Sequence, residues 1–293
     1  MQTKRFHKQR YSMIIAAALS MVTLTAGSAA SASSGPAAAS NDPILTQLQK
    51  AGTVRIAMGD EPPYTEVYAN GTVGGIMVDV VKAVMRKLGV PRITAIVTTY
   101  AAVIPGIEAG RYTIGAAGTF YTTSRCQQVL FSNPVVVTRS AFAVKQGNPL
   151  GINSYSWFLS HSGKLGLITP SAEQEYAQSL KIPSSKELDV PDLTTGLSAL
   201  EYGRIQALAA DELSLSGAGK AVKFQSVITT DGPKAGAGEI FAKANGAFRN
   251  AFNTAYKQII ANGTYAKIAK SFNIDPTVAP HTTASELAPG CTS

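Results

Sequence analysis

Arg125 follows Thr122, Thr123 and Ser124 where the pattern predicts the first turn of a helix. Its guanidinium therefore lies beside backbone N–H groups that have no intrahelical partner. A guanidinium fork and a helix N-terminus both favour an anion, so the pair is a ready receptor for a carboxylate. Just upstream, Ala116-Ala117-Gly118-Thr119 ends a predicted strand, and Gly118 would let a ligand approach the backbone. Tyr64, Tyr100 and Phe120 each fall just past a predicted strand, and Asp60 and Glu61 precede Tyr64. Aromatic faces attract a cation and a carboxylate pairs with it. Together these residues outline a site for a small molecule carrying both charges. A plainer reading puts each aromatic in the core and Arg125 in a surface ion pair; four such residues at strand ends weigh against it.

Catalytic patterns are thin. The sequence has no G-x-S-x-G, no H-E-x-x-H and no complete G-x-x-x-x-G-K-[ST]: in 214–220, Ser214 stands where the first glycine belongs. That stretch reads as a surface turn. Gly236-Ala237-Gly238 lacks the third glycine of a dinucleotide loop and suits a hinge better. Two cysteines exclude a Cys₄ or Cys₂His₂ zinc site, and His7, His161 and His281 lie too far apart for a local metal motif. No metal and no cofactor is expected. Trp157 and Phe158 read as core, and His161 as a solvated loop residue.

The elements that must position these residues alternate. Residues 54–58, 93–97 and 112–116 read as strands; 78–88, 101–109 and 122–127 read as helices, with Asn70-Gly71 as a hairpin turn between. After Gly147-Asn148-Pro149 the alternation restarts, with strands at 165–168, 205–210 and 222–226 and helices at 172–179 and 193–202. A long amphipathic helix near 245–261 carries Phe248, Phe252, Ala255 and Ile259 on one face. Alternation at this pitch means an α/β fold with crossover connections. Two strand-like crossings, near 136–143 and 235–241, divide the chain into two lobes joined by a double hinge. The first lobe takes 43–139 and 237–275, the second 140–236, and 276–293 is a polar tail. Ligands of open α/β sheets bind beyond the carboxyl ends of the strands, which places the site in the cleft between lobes.

The chain has 293 residues and a formal charge of +8. Lys4, Arg5, Lys8 and Arg10 supply half of that excess, and no acidic residue precedes Asp42. An apolar stretch to Ala26 and an Ala30-x-Ala32 site complete the pattern of a secretory signal peptide over residues 1–32. Residues 33–42 are a small-residue linker. The remaining charge is ordinary for a soluble protein, which removes the case for a nucleic-acid partner. No cysteine lies near the cleavage site and no later stretch is long enough to span a bilayer, so no membrane anchor is expected. Export also leaves two readings of Cys126 and Cys291. They form a disulfide, which an oxidising compartment permits, or one is a buried free thiol and the other a thiol in the tail.

The run from Ala116 through Phe120, Arg125 and Cys126 to Asn133-Pro134 resembles the signature of family 3 solute-binding proteins, the extracytoplasmic receptors of ABC importers for amino acids and related solutes. Gly75-Ile76-Met77-Val78-Asp79 is similar in part to their helix start, with Met77 where an acid is common; residues 100–110 and Asn262-Gly263-Thr264 also fit. The resemblance spans roughly residues 48–275. Within the family, Glu61-Pro62-Pro63-Tyr64 and Arg125-Cys126-Gln127-Gln128-Val129 are similar to ectoine- and hydroxyectoine-binding members.

The resemblance implies a two-lobed periplasmic-binding-protein fold, type II-like. It implies a monomeric receptor, periplasmic or secreted, that hands a small zwitterionic ligand to an ABC permease and its ATPase. Arg125 would take the ligand carboxylate and Glu61 a delocalised cation. Tyr64, Tyr100 and Phe120 would form an aromatic box, and Ser171 would complete closure from the second lobe. Asp211 stands where amino-acid receptors hold an acid for the α-ammonium group, which ectoine receptors do not need; it also reads as a helix N-cap. An ordinary amino acid and a cyclic compatible solute both remain open. The rival from another class is an enzyme of the same fold, a cyclohexadienyl dehydratase, in which Glu61, Glu173 or Asp211 would act as general acid. A sensor or accessory binding protein is a third reading.

Overall fold

The computed structural model describes residues 42–218 and 222–293. The expected signal peptide, the linker up to Asn41, and Gly219 and Lys220 of the expected surface turn lie outside the described residues.

Asp42 starts the described chain as an N-cap, its side chain accepting from the Leu45 N–H, with Pro43 in the first turn of α1 (Pro43–Ala51). There follow β1 (Thr53–Met58), a small hairpin of β2 (Glu66–Val67) and β3 (Val73–Gly74), α2 (Ile76–Lys87), β4 (Arg92–Val97), α3 (Tyr100–Glu108), β5 (Ile114–Gly115), α4 (Thr123–Gln128) and β6 (Val129–Phe131). A long strand, β7 (Val136–Val144), leads into α5 (Trp157–Ser160), β8 (Leu165–Ile168), α6 (Ala172–Ser179), β9 (Glu187–Val190), α7 (Leu193–Glu201), β10 (Ala207–Asp211), α8 (Glu212–Gly217) and β11 (Gln225–Ile228). The chain returns through β12 (Lys234–Ala237) to β13 (Ile240–Ala242), α9 (Gly246–Ala261), α10 (Thr264–Ser271) and α11 (Ala284–Leu287).

Two mixed sheets result, and each is the centre of one lobe. The first has the order β4-β1-β5-β13-β6, and the second β11-β7-β10-β8-β9. In the first, β1 runs parallel to β4 and β5 while β13 is antiparallel to its neighbours; in the second, β8 runs parallel to β9 and β10. The apolar face of α2 (Val80, Val81, Val84, Met85) packs with Val54 and Ile56 of β1 and with Phe248, Phe252 and Tyr256 of α9 in one core. The second lobe has its own cores, one built around Phe142, Tyr155, Phe158 and Leu167, the other around Leu197, Leu200 and Leu208.

β7 belongs to both halves. Its first residues, Val136 to Arg139, pair antiparallel with β12, whereas Ala141 to Val144 pair with β10 and β11 of the second sheet. The two-stranded ribbon of β7 and β12 is thus the connection between lobes. It is anchored to the first lobe by the Tyr121 N–H donating to the Gly236 carbonyl and the Val135 N–H donating to the Ala237 carbonyl.

Residues 276–293, expected as a polar tail, are packed. Ala279, Ala284, Leu287, Ala288 and Cys291 are buried, and a capping box of Thr283 and Glu286 starts α11. Leu287 fills the space a side chain would need at Gly236 of β12. Cys126 and Cys291 are joined in a disulfide across a sequence separation of 165 residues, with their Cα atoms 5.3 Å apart. The Thr123 hydroxyl donates to the Pro289 carbonyl at 2.8 Å. Polar composition hid this packing because the five buried residues, three of them alanines, are scattered among polar ones.

Candidate functional site

The first lobe contributes an arginine held from several sides. Thr122 caps α4 by accepting from the Arg125 N–H at 3.1 Å, which turns the Arg125 side chain inward, where it is 4% exposed. Its Nη1 donates to the Tyr100 hydroxyl and to the Phe120 carbonyl, both at 3.1 Å. The guanidinium carbon lies 5.5 Å from the centre of the Tyr100 ring. Phe120 in turn meets Tyr64 edge-on, with ring centres 6.0 Å apart. Gly118 adopts φ +64, and a side chain there would lie 2.9 Å from the Tyr64 ring. Its missing Cβ makes room for that aromatic ring.

Asp60 is not brought into this set. Its carboxylate accepts from the Val67 N–H at 2.9 Å on the exposed side of the loop, where it ties the loop to the β2–β3 hairpin. Glu61, its neighbour, turns the other way and is partly buried.

The second lobe contributes helix starts and acids. Ser171 caps α6, its hydroxyl accepting from the Gln174 N–H at 3.0 Å. Glu173 and Glu175 occupy the first turn of that helix, and Glu173 is buried. Asp211 ends β10 and caps α8, accepting from the Leu213 and Ser214 N–H groups at 2.9 and 3.1 Å. It also accepts from the Ser214 hydroxyl at 2.6 Å. The N-cap reading of Asp211 is therefore satisfied in the structure, and the acid does more besides.

Several contacts cross between the lobes here. The Tyr64 hydroxyl donates to Asp211 at 2.9 Å, and Ser214 Oγ lies 3.3 Å from Glu61 Oε1. The Thr122 hydroxyl donates to Glu175 at 3.3 Å, and Arg125 Nε lies 3.9 Å from the same carboxylate oxygen. Gly217 at the end of α8 sits where a side chain would collide with the Pro62 carbonyl. The lobes are closed on one another, and Glu61, Tyr64, Arg125 and Asp211 make these contacts together with Thr122, Glu175 and Ser214.

Burial sets the electrostatics. Glu61 is pushed up to about 7, first by burial and next by the charge of Asp211. Glu173 is likewise pushed up to about 7 by burial and then by Asp211, while its own N–H, Arg125 and Ser171 pull the other way. Asp211 is raised by burial, although hydrogen bonds from Ser214, Tyr64 and Leu213 favour its charged form. The Ser214 hydroxyl is placed between the two carboxylates and can donate to Asp211 at 2.6 Å or to Glu61 at 3.3 Å.

The structure thus joins Glu61, Tyr64 and Asp211 by direct contacts, and Phe120, Tyr100 and Arg125 by another set, with Gly118 beneath Tyr64. Ser171 enters through the helix it caps. Glu175, Thr122 and Ser214 belong to the same constellation and were not assigned there from sequence. For Glu175 the available signal was an acid four residues after a serine N-cap, on the helix that Ser171 starts. Among the described residues, no three His, Cys, Asp or Glu side chains are placed to hold a metal ion. His161 stacks on Trp157, ring centres 4.5 Å apart, and is exposed.

A two-lobed α/β molecule with paired hinge strands and a charged aromatic cleft has the design of a solute receptor. The family profile of bacterial extracellular solute-binding proteins, family 3, matches residues 54–274, and the chain belongs to that family. The crystal structure of EhuB in complex with hydroxyectoine is similar at 33% identity and a TM-score of 0.76, covering 83% of this chain and 96% of that one. A probable amino-acid ABC transporter periplasmic-binding protein, y4tE of Sinorhizobium fredii, is 30% identical over 168 residues, which is 57% of this chain and 56% of that protein. The aligned part thus spans just over half the length of that relative. The lysine/arginine/ornithine-binding periplasmic protein of Escherichia coli is 26% identical over 236 residues, 75% of this chain and 87% of the relative.

Proposed function

We propose that this protein is the exported receptor of an ABC importer and captures a small zwitterion between its lobes. A cyclic compatible solute of the ectoine kind fits the site ahead of an ordinary amino acid. The observation that carries this reading is the pairing of a buried Arg125 with the Tyr64–Phe120 aromatic pair and Glu61 across one cleft. Arg125 takes the ligand carboxylate through the guanidinium face left by Tyr100 and Phe120. Tyr64, Tyr100 and Phe120 hold a delocalised cation by their faces, and Glu61 pairs with it.

Asp211 decides the order of ligands. It already accepts from two backbone N–H groups, the Ser214 hydroxyl and the Tyr64 hydroxyl. A carboxylate offers about four acceptor directions, so little is left for an α-ammonium group. Asp211 acts instead by fixing Tyr64 when the lobes close, and Ser171 orients the helix that brings Glu173 and Glu175 to the cleft. The likeness to EhuB, whose complex holds hydroxyectoine, supports the same order. Closure around the ligand is a population shift driven by contacts made in the closed form. The permease and its ATPase are the partners, the receptor is a monomer, and its place is the periplasm or the medium.

Thermal unfolding with hydroxyectoine, ectoine, L-arginine or glycine betaine tests this. A ligand at a hundred times its Kd stabilises the folded state by about 2.7 kcal/mol, so hydroxyectoine is expected to raise Tm by several degrees, and more than L-arginine does. The reverse order would assign the site to an ordinary amino acid, and turnover of prephenate would assign it to an enzyme.

A further inference from the structure

We propose that Glu175 is an internal competitor of the ligand: its carboxylate stands at the edge of Arg125 where a ligand carboxylate would dock, so capture requires its displacement. This rests on the zwitterion-receptor reading above and assigns a further residue that sets affinity at the same site.

A guanidinium can take a carboxylate with two parallel hydrogen bonds, along its Nη1–Nη2 end or along its Nε–Nη2 side. In Arg125 the end is committed, because Nη1 donates to the Tyr100 hydroxyl and to the Phe120 carbonyl, each at 3.1 Å. The side formed by Nε and Nη2 is the one left for a carboxylate. Glu175 lies at that side. Its Oε1 is 3.9 Å from Nε, and the same oxygen accepts from the Thr122 hydroxyl at 3.3 Å. Thr122 also accepts the Arg125 N–H at 3.1 Å. A single hydroxyl thus ties Glu175 to the turn that carries the arginine. The acid itself comes from the opposite lobe, in the first turn of α6, where its N–H donates to the carbonyl of the Ser171 cap at 3.3 Å.

Two carboxylates at one side of a guanidinium repel each other, so Glu175 and a ligand carboxylate exclude one another there. The existing contact is the weaker of the two kinds. At 3.9 Å it is a charge attraction without a close hydrogen bond, whereas a ligand docked along the side would make two. Glu175 is also free to leave. Its side chain is 39% exposed, against 5% for Arg125, so it can swing into water without becoming a stranded buried charge. Asp211 has no such freedom, being buried and already accepting from Tyr64 and Ser214. Glu175 therefore latches the second lobe to Arg125, and a solute gains the arginine by taking its place.

Isothermal titration of the mature wild type and of Glu175→Gln with hydroxyectoine tests this, together with small-angle scattering of both proteins before ligand is added. Glutamine keeps the length of the side chain and removes its charge. The variant is expected to bind hydroxyectoine about two- to fivefold more tightly, the range of a half-exposed ion pair, and to scatter as a more open ensemble before ligand addition. Equal urea midpoints in the two proteins separate these results from a loss of folding, and Glu175→Ala, which removes the carboxylate altogether, should change both readouts in the same direction. Unchanged affinity overturns the competition, and weaker affinity overturns it too, by making Glu175 a partner of the ligand's cation. Identical scattering overturns the latch. If hydroxyectoine gives no heat with either protein, the ligand class fails, and the scattering comparison alone then decides whether Glu175 holds the lobes together.

Discussion

The two walls of the cleft are built on different physical terms. The first-lobe wall is aromatic and carries a guanidinium whose Nη1 is held by the protein, donating to the Tyr100 hydroxyl and the Phe120 carbonyl. It is backed by the large core of α2 and α9 and braced by the Cys126–Cys291 link. The second-lobe wall is made of helix starts, Ser171 for α6 and Asp211 for α8, with acids in or beside the first turn. One wall offers chiefly a fixed shape, with Glu61 as its one titratable acid, and the other offers chiefly charge that changes with protonation. Shape is set by packing and is present before a ligand arrives. Charge is set by closure, because closure is what removes water from the acids.

Four changes would break or sharpen this contrast. The largest effect is expected from Arg125→Ala, which removes the charged centre of the rigid wall. Losing one member of a buried, hydrogen-bonded charge pair costs about 2–5 kcal/mol, so hydroxyectoine affinity should fall by roughly a hundredfold or more in isothermal titration. Binding that survives intact would place the carboxylate elsewhere.

The double variant Cys126→Ser/Cys291→Ser tests the brace. Opening a link across 165 residues should cost about 2–5 kcal/mol of stability, read as a lower urea midpoint. Because α4 loses its anchor, affinity should fall with it. A loss of stability at unchanged affinity would show that α4 holds Arg125 unaided.

Glu173→Gln tests the chargeable wall through stability in the absence of ligand. Folding lifts the Glu173 pKa from 4.5 to about 7, so the folded chain binds more protons than the unfolded chain in that range. Its contribution is fully present below pH 4.5 and is lost as the pH rises through about 7. Glu173 should account for roughly 2 kcal/mol of the stability the wild type loses between pH 5 and pH 8 by chemical denaturation, and Glu173→Gln should lose correspondingly less. Equal slopes would mean that Glu173 titrates as it does in the unfolded chain.

The smallest effect is expected from Tyr64→Phe, which deletes the hydroxyl joining the walls and leaves the ring. A hydrogen bond to a charged group is worth about 1.5–3 kcal/mol, and part of this is recovered because Asp211 keeps its other donors. Scattering should show a more open ligand-free ensemble, with affinity lowered several-fold.

How much of this could be read in the chain differs between the same two walls. Arg125, Phe120, Tyr64 and Tyr100 stand in short motifs beyond predicted strands, so their placement together on one wall follows from position. The α6 helix was also legible, since Ser171 followed by acids is a start signal and Ala172–Ser179 is where the pattern places it. β9 was not. Its residues Glu-Leu-Asp-Val form a half-exposed edge strand, which carries little alternation to detect. α8 was legible only through the alternative reading of Asp211 as a helix N-cap, because its six residues are too short to show a helical period and 214–220 read as a surface turn. Asp60 and Glu61 are adjacent and chemically alike, and sequence treated them together. Successive side chains in an extended segment point to opposite sides, and that alone sends one to the hairpin and the other to the cleft.

The packed C-terminal segment gives the molecule an order in time. Arg125 emerges during synthesis well before its helix can be braced, because the partner cysteine and the Pro289 carbonyl lie at the far end of the chain. Leu287, which seats against the hinge ribbon at Gly236, arrives equally late. The support of the Arg125 wall therefore comes from a segment made after every residue of the cleft, and a chain cut before Leu287 would carry those residues without it.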